Sequence, residues 1–131
     1  THSGFCPEDV TPWLPIPDHQ RKKAVNRALE DPESLYHTLK DLLRFRQSHP
    51  SLGLGSMRVL DSEPRILAFE RHHNGEACIC TFNLSSDPIE VDTPLGWAEN
   101  PGRSQGVSRT SDNARLLMSP WSWYIQLSKV C

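Results

Sequence analysis

General acid–base chemistry needs two carboxyl groups held across a cleft in contrasting surroundings. The sequence offers four acidic groupings: Glu8/Asp9, Glu30/Asp31, Asp61/Glu63 and Asp87/Glu90/Asp92. Each falls in a loop-like stretch or at the end of an element, among polar neighbours, where capping and solvation account for it. The histidines, His2, His19, His37, His49, His72 and His73, include no pair at i, i+4 and none at finger spacing from a cysteine, so they form no metal-ligand set. His72 and His73 are adjacent in an extended segment and face opposite ways. No Gly-x-Ser-x-Gly, Walker loop or Gly-x-Gly-x-x-Gly is present, since Gly53-Leu54-Gly55 stops short. Trp121 and Trp123 share one face of a strand, with Tyr124 on the other. A sugar-stacking platform is one reading of them, and core or sheet packing is the reading favoured. Catalytic, substrate-binding and metal residues are therefore expected to number none, and no cofactor is expected.

Cys78 and Cys80 lie two apart in an expected strand, so their side chains point the same way roughly 6.6 Å apart, a poor geometry for a bridge. With Ile79 between them and Phe82 following, they read as core thiols, which fits a reducing cytoplasm. A net charge of −2 gives no footprint for nucleic acid. The basic run Gln20-Arg21-Lys22-Lys23 is short and isolated, a solvated surface. No apolar run approaches the roughly 20 residues that span a bilayer, so neither nucleic acid nor membrane is an expected partner. Thr1 to Pro7 has neither the basic nor the apolar region of a signal peptide, and no initiator Met. It reads as loop interior, with the gene beginning further upstream.

The elements that position these residues change character along the chain. Residues 1–30 carry Pro7, Pro12, Pro15 and Pro17 and predict an irregular loop, with a short helix within 20–29. Asp31-Pro32-Glu33 supplies a cap, a first-turn proline and a carboxylate at the positive dipole end. Leu35, Leu39, Leu42 and Leu43 then form one apolar stripe, and His49-Pro50 ends it. A helix over 32–48 follows, with no obvious helical partner for its stripe. Residues 51–55 read as a linker. Beyond them the period changes to two, and strands are expected at 57–60, 65–73, 77–84, 88–91, 115–118 and 121–127. Asn74-Gly75 is a type I′ hairpin turn, and 92–113 is expected to be a long connection. A division near residue 52 results: 1–51, then an antiparallel β-domain over 52–131.

The order of these features identifies a resemblance. Gly4-Phe5 followed by Pro12-Trp13-Leu14-Pro15 resembles the loop after the eighth barrel strand of α-glucosidases and oligo-1,6-glucosidases, members of the α-amylase family (glycoside hydrolase family 13). Asp31-Pro32-Glu33-Ser34-Leu35, Leu42-Leu43-Arg44-Phe45-Arg46 and His49-Pro50 are similar to that family's last barrel helix. Phe69-Glu70-Arg71, Phe82-Asn83-Leu84-Ser85 and Leu116 to Trp121 resemble strands of its C-terminal β-domain. The resemblance implies the end of a (β/α)8 barrel followed by an all-β antiparallel domain. It also implies a retaining glycosidase with an Asp nucleophile, a Glu acid and a second, stabilising Asp. All three belong upstream of the motif at Gly4, and no residue here matches them. A barrel takes roughly 250 residues. The expected partner is therefore the missing N-terminal catalytic barrel portion, which would bind most of an α-glucoside substrate. The alternative is a non-catalytic carbohydrate-binding or scaffold β-domain. The two differ in whether Trp121 and Trp123 are exposed.

Overall fold

The computed structural model describes residues 2–92, 103–110 and 115–129. The chain divides into two compact units, Thr1–Ser48 and His49–Cys131.

The first unit is a proline-rich lead-in and three helices: α1 (Asp18–Lys22), α2 (Val25–Glu30) and α3 (Leu35–Ser48). Helix α3 starts three residues later than the Asp31-Pro32-Glu33 signal predicts. The Asp31 carboxylate does accept the Glu33 N–H at 3.0 Å, but the Ser34 N–H bonds back to the Asp31 carbonyl. That closes a turn first, and the helical ladder opens with Thr38 N–H on the Ser34 carbonyl. Helix α2 supplies a neighbour that the leucine pattern did not reveal. Ser34 Oγ donates to the Ala28 carbonyl at 2.6 Å, and His37 Nε2 to that of Leu29 at 3.1 Å. These contacts are polar. Leu35, Leu39 and Leu43 remain 80%, 53% and 50% exposed, and no described residue before Pro50 is buried.

The second unit is a six-stranded antiparallel sheet preceded by a short helix. Its strands are β1 (Ser56–Val59), β2 (Ile66–His73), β3 (Glu76–Asn83), β4 (Ile89–Asp92), β5 (Arg103–Arg109) and β6 (Arg115–Lys129). They run in the order β1-β2-β3-β6-β4, with β5 also on β6. Asn74 and Gly75 have φ of 45° and 79°, the two positive values that a type I′ turn demands, and they fix β2 and β3 with His73 opposite Glu76. Ile66, Ala68, Ile89, Leu116, Met118 and Tyr124 form the core.

Three expectations are corrected in this unit. Residues Pro50–Leu54 form helix α4 rather than a linker. Pro50 opens it, as a missing N–H costs nothing in a first turn, and Leu52 is buried. The division accordingly falls before α4. Part of the expected connection is β5, a strand with little apolar signal because most of its residues are exposed. The two closing strands are one, β6, which contains Ser119-Pro120. Proline fits there because β6 pairs with β4 over Arg115–Met118 and with β3 over Trp123–Lys129. Between those ladders no partner requires an N–H from residue 120.

Asn83 holds the place where β3 gives way to β4 along β6. Its side chain is fully buried. Nδ2 donates to the carbonyls of Asp87, Met118 and Ser119 at 2.7, 3.3 and 3.0 Å, while Oδ1 accepts from Ser85 N–H and Oγ. One amide thus satisfies backbone groups that the bend in β6 would strand. The family-like Phe82-Asn83-Leu84-Ser85 motif earns its pattern from this joint.

Candidate functional site

The carboxylates are spoken for by arginines. Glu70 accepts from Arg58 Nε at 2.7 Å and lies 3.1 Å from His72 Nε2. Arg65 joins Glu63 at 2.6 Å and Asp87 at 3.3 Å, and Arg115 joins Asp92 at 3.0 Å and Glu90 at 3.4 Å. The Arg58 hydrogen bond outweighs partial burial and holds Glu70 below the ordinary carboxylate range. A general acid would need the opposite shift. Glu8, Asp9 and Glu30 are exposed in the first unit, and Asp61 is exposed after β1. Among the described residues no three His, Cys, Asp or Glu are placed to hold a metal ion.

Glu76 serves a structural knot. Its Oε1 accepts the Ser51 N–H at 2.9 Å and also the Ser51 hydroxyl. Burial pushes its carboxyl up, but the two Ser51 donors prevail and leave it below its ordinary range. Arg71 donates from Nε to the Ser51 carbonyl at 2.9 Å and from Nη2 to that of Gly55 at 2.8 Å. A cation thereby sits at the carbonyl end of α4, where the peptide dipoles favour it. At Gly55 a Cβ would lie 2.4 Å from the Ser51 carbonyl oxygen and 2.9 Å from that of His72, so no larger residue fits under this knot.

Cys78 and Cys80 are buried free thiols with sulfurs 3.7 Å apart. Hydrogen bonding to Cys80 and burial push the Cys78 thiol up, so it stays neutral. Of the tryptophans, Trp121 is 69% exposed at a positive φ of 55°. Trp123 is half-buried and its Nε1 donates to Gln105 Oε1 at 3.2 Å. Tyr124 is in the core. The two tryptophans are thus exposed to very different degrees and do not make a uniform platform.

A larger feature emerges from the register. On the face opposite the core, β1 sets Met57 and Val59 beside Arg71 and Phe69 of β2, whose Phe69 and Leu67 stand beside Cys80 and Phe82 of β3. Those in turn stand beside Ile125 and Trp123 of β6. Phe69 and Phe82 stack with centroids 6.0 Å apart. Helix α4 covers one end of this face through Ser51 and Leu52, and elsewhere it is open: Met57 and Val59 are exposed, Phe69, Phe82, Trp123 and Ile125 half-buried. The sheet is apolar on both sides, and only one side has a core. An uninterrupted apolar run, Ala77 to Phe82 broken only by Thr81, is the trace this leaves in sequence. Reading β3 as an alternating strand concealed it.

Comparison with known proteins matches this architecture. A model of the family described as "Maltogenic Amylase, C-terminal domain" matches residues 57–125. The probable alpha-glucosidase of Rhizobium meliloti (strain 1021) is 33% identical over 92 residues, covering 70% of this chain and 16% of that protein. The alpha-glucosidase of Pediococcus pentosaceus is 32% identical over 128 residues, 97% of this chain and 22% of its own length. Among solved structures, the trehalulose synthase MutB superposes with a TM-score of 0.76 at 27% identity, over 92% of this chain and 22% of that one. The chain therefore spans between about a sixth and a fifth of the relatives it matches.

Proposed function

This chain belongs to the maltogenic amylase C-terminal domain family of the α-amylase enzymes, and from that premise we propose that it completes a retaining α-glucosidase without supplying its catalytic groups. In this reading residues 1–51 close the catalytic barrel, with α3 as its last helix, and the β-domain packs against the barrel through its open apolar face. The substrate is an α-glucoside held by the barrel. A reducing, cytoplasmic setting accords with the two buried free thiols.

One observation carries the proposal: the sheet has a second apolar face with no core of its own. Burying one large aliphatic or aromatic side chain from such a face stabilises by about 1.5–3 kcal/mol, so several left open represent a large unmet driving force. The stripe of α3 adds three leucines to that account. The arginine-paired carboxylates fit a domain that supports catalysis rather than performing it.

The test is turnover of an aryl α-glucoside, with the anomer of the released glucose followed by NMR. The intact protein carrying this chain should release the α-anomer, and this chain by itself should release none. Turnover by the isolated chain would end the proposal, as would an intact protein that inverts or is inert.

Trp121 alone favours the second reading, a carbohydrate-binding β-domain. Its exposure and left-handed backbone are unusual for a bulky residue. Maltooligosaccharide should protect it from iodide quenching if that reading holds; unchanged quenching removes it.

A further inference from the structure

On the core side of the sheet, away from the open apolar face, lies a cavity of about 320 Å³, within the range of small-molecule sites. Its walls are apolar, from Ile66, Ala68, Ile79 and Leu116. Its polar residues are Thr81, Tyr124 and Gln126, on two neighbouring central strands. Asp61, Glu63, Glu90 and Asp92 also line it.

Gln126 is the anomaly. It is 1% exposed, and its amide Nε2 has no hydrogen-bond partner. Buried polar groups in folded proteins almost always have one. A donor left unpaired beside an open cavity is therefore a demand for an acceptor inside it. The carboxylates make the opposite demand, since they accept only. Arg65 and Arg115 pair with three of the four but leave the lining net negative.

These demands select a ligand by elimination. An anion would satisfy Gln126 and be repelled by the acidic residues. A metal ion or ammonium would suit the carboxylates, yet it offers nothing to an N–H donor. A hydroxyl both accepts and donates. A ring or chain of hydroxyls presents C–H surface as well, which suits the apolar walls and the Tyr124 ring. We propose that this cavity binds a small uncharged polyhydroxylated ligand, a monosaccharide or a linear polyol, with one oxygen accepting from Gln126 Nε2. The site is separate from any catalytic cleft and does not depend on the glycosidase reading.

The experiment uses the intact protein, D-glucose and sorbitol as probes, and the variants Gln126→Leu and Thr81→Val. At sugar tenfold above its Kd the wild-type melting temperature should rise by about 2–4 °C. Gln126→Leu should melt no lower than wild type without sugar, because it removes an unpaired buried donor. It should lose the part of the sugar-dependent rise due to this cavity, and Thr81→Val should reduce it. Any glucose bound at a catalytic centre contributes equally to all three proteins and cancels. A crystal soaked with either probe should show it in the cavity with an oxygen about 3 Å from Gln126 Nε2. A preference between the probes tells the ring from the chain. An identical rise in wild type and Gln126→Leu overturns the proposal, as does a cavity holding only water, or density at soaking concentrations without a shift in solution. Whether the protein turns over an α-glucoside bears on the proposed function alone.

Discussion

The two units of this chain contrast in what their secondary structure rests on. Helix α3 has a clean apolar stripe, a turn-closing Asp31 and a sharp stop at His49-Pro50, yet its leucines lie open and its contacts with α2 are polar. The sheet has weaker local signals, including a β5 with little apolar pattern, and still encloses Met118 and Leu116 completely or nearly so. A local pattern therefore specifies which face of an element wants burial, but not whether the same chain supplies the wall. The β-unit repeats the lesson within itself: one face of its sheet has a core and the other does not.

The largest effect that sharpens this contrast is truncation in the core. Met118→Ala should destabilise the β-unit by about 2–5 kcal/mol, read by urea unfolding of this chain. Leu39→Ala, in the same chain, should change stability by no more than about 0.5 kcal/mol, as at other open positions. Comparable losses at both positions would break the contrast.

Next comes the joint in the sheet. Asn83→Leu strands the Met118 and Ser119 carbonyls and the Ser85 N–H, and a loss of roughly 2–4 kcal/mol is expected from several unpaired groups. An Asn83→Leu protein as stable as wild type would show that the bend in β6 is held by something else.

Glu76→Leu should follow, at about 1–3 kcal/mol, because it leaves the buried Ser51 N–H and hydroxyl without their acceptor. Glu76→Gln retains an acceptor and should cost less. Equal losses would assign the effect to charge rather than to pairing.

The smallest expected effect is a pH dependence. Glu70 and Glu76 both have carboxyls held below their ordinary range in the folded protein. Their contribution is therefore full above the unfolded carboxylate pKa of about 4.3. It is lost as pH falls through the lower folded values. The melting temperature of the β-unit should decline below about pH 4.5, and the double variant Glu70→Gln/Glu76→Gln should decline less. A parallel decline in both proteins would remove these two groups from the account.

Much of this fold was legible where one residue type answers one physical need. Asn74-Gly75 gave its hairpin because two positive φ values are hard to obtain otherwise. The even-numbered positions 116, 118, 122, 124 and 126 of β6 are buried as a period of two requires. Pro120 misled, because its missing N–H breaks a strand only where a neighbour needs that donor. Residues 51–55 misled for a related reason: a helix of one turn has no periodicity to read, and its stability comes from Arg71 and Glu76, distant in sequence. The expected connection over 92–113 lies only partly within the described residues, which include β5 but not 93–102 or 111–114. The open apolar face was hidden because β3 was read for alternation, although its run of apolar residues fits a strand buried on both sides.

Hydrogen exchange over Leu35–Ser48, measured on this chain by itself and within the intact protein, is the sharpest trial of the borrowed-core idea. In the isolated chain those amides should exchange close to their unprotected rates while β3 and β6 stay protected. In the intact protein the helix should become protected to a degree approaching that of the sheet. A helix protected equally well in the isolated, monomeric chain would mean that its leucines need no outside wall.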